Sequence, residues 1–182
     1  MTHSYELGDT IKRATSSHSR LIVGIAIASS LAALAPTPPH AADARITGCA
    51  TSGLVVWTDT QGSGAAGSVF YKLRFTNLSG HACTLAGYPG VSAVDLRGHR
   101  LGREAAREPS QRRAVRLAKG ASATATLRII QAGNFPSSTC HKTTAAGLRV
   151  YPPNQRTSKL VPFPFNACSR VGPVYLMIRA VG

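Results

Sequence analysis

Apolar residues recur at every second position in two long stretches of this chain, and a period of two restricts them to one kind of structure. In residues 69–75, Val69, Tyr71, Leu73 and Phe75 fall on one side while Lys72 and Arg74 fall on the other. In residues 121–130, Ala121, Ala123, Ala125, Leu127 and Ile129 oppose Ser122, Thr124, Thr126 and Arg128. A helix would scatter both sets around its circumference, whereas a strand gathers each on one face, so the pattern predicts two half-buried strands. Five further segments, 54–59, 91–96, 114–118, 148–151 and 174–181, are rich in β-branched or aromatic residues and bounded by turn formers. Between them, Gln61-Gly62-Ser63-Gly64 reads as a hairpin tip, residues 77–80 as a tight turn, and Tyr88-Pro89-Gly90-Val91 as a type II turn. Seven to eight short antiparallel strands at this spacing predict an all-β, Ig-like sandwich of two sheets. Trp57, the single tryptophan, is expected to anchor its core.

Residues 1–44 have a different character. Lys12, Arg13 and Arg20 precede an uncharged run, 21–35, that stops at Pro36, and Ala42-Asp43-Ala44 places small residues where a signal peptidase cuts. The run is shorter than the roughly 17 to 25 residues a spanning helix requires. It is read as an N-terminal signal helix removed near Ala44, leaving one β-sandwich domain over residues 45–182; an uncleaved anchor is the competing reading. Ile46-Thr47-Gly48-Cys49 matches a lipid-attachment box in isolation. Three prolines, His40, Asp43 and Arg45 separate it from the apolar run, which argues against lipid on Cys49 and for a secreted or cell-envelope protein.

Four cysteines follow the leader: Cys49, Cys83, Cys140 and Cys168. An even count in an exported domain predicts two disulfides, for which three pairings are open. Joining sequence neighbours, Cys49 with Cys83 and Cys140 with Cys168, leaves the bridges uncrossed and is the expected arrangement. Each bridge is then worth about 3 to 4 kcal/mol in the loop-entropy account, so reduction is expected to be severely destabilising.

Charge is the remaining strong signal. Of the chain's formal net charge of +14, almost none resides in the leader, and so basic a surface is drawn to polyanions. Residues 97–119 concentrate it: Arg97, Arg100, Arg103, Arg107, Arg112, Arg113, Arg116 and Lys119 stand against Glu104 and Glu108. The stretch reads as a long exposed connection with a helical turn at 101–107. Guanidinium forks match phosphates and carboxylates, which makes Arg97, Arg100, Arg103, Arg107, Arg112 and Arg113 the candidate anion-binding residues; a merely solvated basic face is the plainer reading. The candidate partners are an anionic envelope polymer, lipid head groups or an envelope protein, met by a monomer. Nucleic acid is not expected in vivo, because the chain is read as exported and the strip lacks interleaved aromatics for base stacking.

Catalysis finds little material. Asp59, Asp95, Glu104 and Glu108 are the only acids after the leader. Glu104 and Glu108 are spaced for one helical face, which makes a secreted hydrolase the alternative function, but neighbouring arginines make ion pairing their plainer role. His81 with Cys83 and Cys140 with His141 lack the usual zinc spacings. No nucleophile elbow, phosphate loop or dinucleotide fingerprint occurs. The chain is therefore expected to be no enzyme and to need neither cofactor nor metal.

One string is more specific. From Thr76 to Val91 the chain reads Thr-Asn-x-Ser-Gly-x-x-Cys-Thr-Leu-x-Gly-Tyr-Pro-Gly-Val, and it resembles exported actinobacterial proteins that share the domain of unknown function 4232. Cys49, Gly67, Asp95 with Gly98, Leu117 to Gly120, Cys140, Leu148-x-Val150-x-Pro152-Pro153 and Cys168 agree with it over nearly the whole chain after the leader. The resemblance implies a secreted or lipoprotein-type Ig-like β domain at the envelope, with no assigned activity and no catalytic residue to carry over. Cys49 lies farther from the apolar run than in lipoprotein members, and the arginine cluster is heavier than the pattern requires. The string itself reads as architecture: Asn77 supplies a left-handed turn residue, while Gly80 and Gly87 permit bends.

Overall fold

In the computed structural model, which describes residues 46–182, twelve strands follow one another: β1 (Leu54–Thr58), β2 (Ser63–Ala65), β3 (Ser68–Asn77), β4 (Cys83–Leu85), β5 (Gly90–Val94), β6 (Arg100–Leu101), β7 (Ala106–Arg107), β8 (Val115–Leu117), β9 (Ser122–Ile130), β10 (Lys142–Tyr151), β11 (Lys159–Cys168) and β12 (Leu176–Ile178). The leader, its signal helix and the cut near Ala44 lie outside the described residues. A six-stranded sheet, sheet one, has the order β1-β3-β9-β12-β7 with β2 also on β3. Sheet two has the order β11-β10-β5-β6, and β4 pairs with β8 in a two-stranded ribbon. Both sheets contribute to one buried cluster, so the architecture is the all-β sandwich the alternation predicts. Among the described residues no helix is long and apolar enough to cross a membrane.

Sheet one is built on the two alternating stretches. β3 and β9 pair from Ser68↔Ile130 to Thr76↔Ser122, which sets Phe75 opposite Ala123 and Leu73 opposite Ala125. A large side chain thus faces a small one, and the alanines keep the layer even where Leu73 and Phe75 are wholly buried. Each such burial contributes about 1.5 to 3 kcal/mol. Trp57 is not a core anchor. Leu54 and Val56 occupy the inward positions of β1, and parity turns Trp57 outward, 42% exposed.

Sheet two contains a strand that the sequence pattern does not predict. In β11, Val161, Phe163 and Ala167 point inward, but Pro162 and Pro164 interrupt the run and argue against a strand. The prolines are tolerated because β11 is an edge strand, hydrogen-bonded only to β10. Phe163 meets Tyr71 of sheet one edge-to-face at 4.8 Å, joining the layers. β10 is longer than the predicted 148–151 segment and carries a bulge between Ala145 and Gly147. One pairing of strands departs from the antiparallel expectation, β7 running parallel to β12, and the isolated bridge of Gly48 with Thr84 is parallel as well.

No helical turn forms at 101–107. Arg100–Leu101 pairs with β5, the Ala105 N–H donates to the Val91 carbonyl at 2.8 Å, and Ala106–Arg107 pairs with β12. The supposed loose connection is therefore a strap that passes from sheet two to sheet one. Gly102 sits in it with φ 64°, where a Cβ would come within 2.6 Å of the Cys168 carbonyl oxygen. Tyr175, fully buried beside it, donates its hydroxyl to the Leu101 carbonyl at 2.8 Å; burial pushes this phenol above its ordinary range.

The bridges join Cys49 to Cys83 and Cys140 to Cys168, all buried, as neighbour pairing predicts. Asn77 works through its side chain and not through a left-handed backbone, its φ being negative. Its buried amide donates to the carbonyls of His81 at 2.9 Å and Leu117 at 3.1 Å, and its Oδ1 accepts from the Ser79 N–H at 2.9 Å. One asparagine so ties the end of β3 to the ribbon. Two turns also differ from expectation. The positive φ near Pro89 belongs to Gly87 at 102°, not Gly90, so no type II turn forms there. The hairpin tip is Ala66–Gly67, with φ of 42° and 73°, while Ser63 and Gly64 lie in its arm.

Candidate anion-binding face

Register defines the outer surface of sheet two. Directly paired residues share a face, so Arg100, Val94, Gly147 and Pro162 form one row, and Ser92, Arg149 and Leu160 the next. Gly90 and Tyr151 form the third. The two faces of these strands alternate, and the opposite set, Val91, Ala93, Leu148 and Val150, is buried.

At the Tyr151 end the face opens into a cleft of about 350 Å³ lined by Tyr88, Gly90, Arg107, Arg112, Tyr151, Pro152, Asn154 and Gln155. The Arg107 guanidinium lies over the Tyr88 ring, 5.6 Å from its centroid, which orients a planar donor set. The Tyr88 hydroxyl accepts the Ser110 N–H at 3.2 Å and anchors the loop that carries Arg112. Asn154, with φ 61°, donates its amide to the Ala86 carbonyl at 3.2 Å and closes the far wall. Tyrosine rings, guanidinium forks and amides suit a ligand with a carboxylate or phosphate group on a flat body.

At the other end the β5–β6 hairpin folds tightly. The Asp95 carboxylate accepts the N–H groups of Arg97 at 2.9 Å and His99 at 2.8 Å, and the His99 ring lies 3.3 Å away. Partial burial pushes the Asp95 carboxyl up, but these hydrogen bonds outweigh it and hold it below the usual range. Arg149 donates to the Gly98 carbonyl at 2.8 Å and pins the hairpin to the sheet.

The outer face of sheet one differs. Arg74 forms a two-pronged pair with Asp59 at 2.9 and 3.2 Å and stacks on Trp57. That hydrogen bond from Arg74 chiefly, with the nearby positive charges, holds the Asp59 carboxyl below its ordinary range. Glu108 receives Arg179 at 2.6 Å and Arg128 at 3.7 Å, and Arg128 also lies over the Phe70 ring.

The six candidate arginines are exposed but do not form one strip. Arg107 and Arg112 meet at the cleft, Arg97 and Arg100 belong to the β5–β6 hairpin of sheet two, and Arg103 and Arg113 lie on the strap and the following loop. None of the six has an acidic partner among the described residues. Glu104 is exposed, whereas Glu108 is clamped by arginines from β9 and the C-terminal segment, so no helical face joins them. The sequence pattern does not point to Arg149, Tyr151 and Leu160, which strand register alone places on this face, or to Tyr88, which the strap brings under Arg107.

These features together define a small disulfide-stapled β-sandwich with one basic outer face. The chain belongs to the family described as domain of unknown function (DUF4232), whose model matches residues 49–177, from the first bridged cysteine into the last strand. No curated protein and no solved structure matches the chain.

Proposed function

We propose that this protein works outside the cytoplasm, secreted or at the cell envelope, as a non-enzymatic module that holds an anionic partner on the outer face of sheet two. The leader, with its basic start, apolar run and small residues ahead of Arg45, supports export with removal near Ala44. Two disulfides point to an oxidising compartment. One observation carries the binding reading: Arg97, Arg100, Arg107 and Arg112 sit on or beside this face with no acidic partner among the described residues. Unpaired guanidinium groups aimed at solvent are available to phosphates or carboxylates. The hydrolase alternative draws no support from Glu104 and Glu108, one solvent-exposed and the other committed to Arg128 and Arg179.

Replacing Arg97, Arg100, Arg107 and Arg112 together by glutamine tests this. Binding to anionic vesicles and to isolated wall fractions is expected to fall at least about tenfold and to weaken with added salt in the parent protein. Binding indifferent to both salt and these arginines would overturn it.

A further inference from the structure

Charge does not account for everything on the basic face. Its hairpin end holds an apolar dent of about 260 Å³ lined by Leu96, Gly147, Leu160 and Pro162. Leu96 is 96% exposed and Leu160 is 62% exposed. A single exposed leucine needs no explanation, but two lining one depression, with Arg97 and Arg100 on the same hairpin, form a patch.

Leu96 is held out by its surroundings. It occupies the β5–β6 turn, where the Asp95 carboxylate is consumed by the N–H groups of Arg97 and His99. The Gly98 N–H closes the turn on the Asp95 carbonyl at 3.0 Å, and Gly98 adopts φ 81°. Asp95, which also borders the dent, is the one acid on this end of the face among the described residues, and these bonds turn its charge back into its own turn. Arg97 follows Leu96 directly, Arg100 stands across from Val94, and Arg149 stands across from Leu160.

Resting on the anion-binding reading above, we propose that this end of the face seats on the surface of an anionic lipid bilayer. Leu96 and Leu160 enter the interfacial region, and the exposed Arg97 and Arg100 meet lipid phosphates, while Arg149 holds the hairpin in place beneath them. Protruding apolar side chains with cations beside them combine the two terms that hold a peripheral protein on a membrane, apolar burial and attraction to negative head groups. A soluble polyanion would use the arginines and leave both leucines in water, so the leucines favour the lipid.

The native chain contains one tryptophan, Trp57, on the outer face of sheet one, which makes it an internal reference. Leu96→Trp in the full, disulfide-bonded chain places a second reporter at the proposed contact without disturbing any packing. With vesicles of phosphatidylglycerol and phosphatidylcholine in equal parts, its emission is expected to shift to the blue and to be quenched by brominated lipid. With phosphatidylcholine alone, and for Trp57 in the parent protein, no shift is expected. Leu96→Asp and Leu160→Asp are each expected to weaken vesicle binding roughly tenfold. Arginine-dependent vesicle binding that leaves the emission of the Leu96→Trp variant unshifted would overturn the lipid contact and leave the anionic-face reading standing. Retention on anionic wall polymer without vesicle binding would do the same. Vesicle binding that ignores the arginines would overturn both.

Discussion

On the outer face of sheet one, Arg74 lies against Asp59 at 2.9 Å, and Arg128 and Arg179 share Glu108. On the outer face of sheet two, Arg100 and Arg149, and at the cleft beside it Arg107 and Arg112, have no acidic partner among the described residues. The scaffold and the residue type are the same, so the difference lies in where the few acids went. Two of the four described acids serve sheet one, a third is folded into its own hairpin, and Glu104 stands exposed on the strap. A net charge of +14 therefore does not describe a uniform shell. It resolves into one face whose arginines are paired with acids, Lys72 alone standing exposed and unpaired there, and another whose arginines have no acidic partner among the described residues.

Glycines give the largest contrast between the sheets. Gly147 stands in the hairpin-end row of the sheet-two face, and a Cβ there would lie 2.3 Å from the Val161 carbonyl oxygen, a backbone atom that cannot move aside. Gly147→Ala is expected to cost about 3 kcal/mol and to loosen the bulge in β10. Gly64 in β2, at the edge of sheet one, has nothing within 4 Å of an added Cβ, so Gly64→Ala is expected to change stability by no more than about 0.5 kcal/mol. Urea midpoints of the two variants check this. Equal midpoints would mean that the floor of the dent is not as tightly built as its backbone contacts state.

Of intermediate size is the response to charge removal. Glu108→Gln leaves Arg128 and Arg179 without their shared carboxylate and is expected to cost about 1 kcal/mol, given that Glu108 is largely covered. Changing Arg100, Arg107 and Arg112 together to glutamine removes no ion pair and is expected to leave stability within about 0.5 kcal/mol while lowering the salt concentration that elutes the protein from an anionic resin. Thermal melts at low salt read the first quantity and salt elution the second. If the triple variant melted lower than Glu108→Gln, the sheet-two cations would be structural, and the contrast between the faces would fail.

What the sequence could and could not announce follows the same division. Alternation locates β3 and β9 because each alternates cleanly along most of its length, and neighbour pairing locates both disulfides. β11 is hidden because Pro162 and Pro164 cancel the signal of Val161 and Phe163, and only its edge position makes them tolerable. Trp57 is misplaced although the parity signal is present: Leu54 and Val56 are the inward pair of β1, which leaves 57 outside. For the arginines, nearness in sequence stands in for nearness in space, and the strap defeats it by crossing between sheets within eight residues, Arg100 to Arg107. Glu108 finds Arg179 across 71 residues, a partnership that only the parallel pairing of β7 with β12 creates.

The smallest expected effect concerns acid, and it separates the faces through one carboxylate on each. Asp59 is held below the usual carboxyl range chiefly by its hydrogen bond from Arg74. Asp95 is held below it because the amides of His99 and Arg97 outweigh its desolvation. A carboxyl whose folded-state value lies under the unfolded 3.8 binds protons less readily when folded. Its contribution is thus complete above roughly pH 4 and drains away as pH falls through the folded-state value. Asp59→Asn is expected to remove the part of this acid sensitivity that belongs to sheet one and to leave the sheet-two hairpin unchanged. Asp95→Asn keeps an oxygen that accepts the Arg97 and His99 amides, so the hairpin is expected to persist and to lose only its dependence on pH. Carboxyl titration by NMR distinguishes the two groups. An Asp95 that titrated at the ordinary value would show that its charge is not spent on its own turn, and the sheet-two face would then carry a free acid beside Leu96.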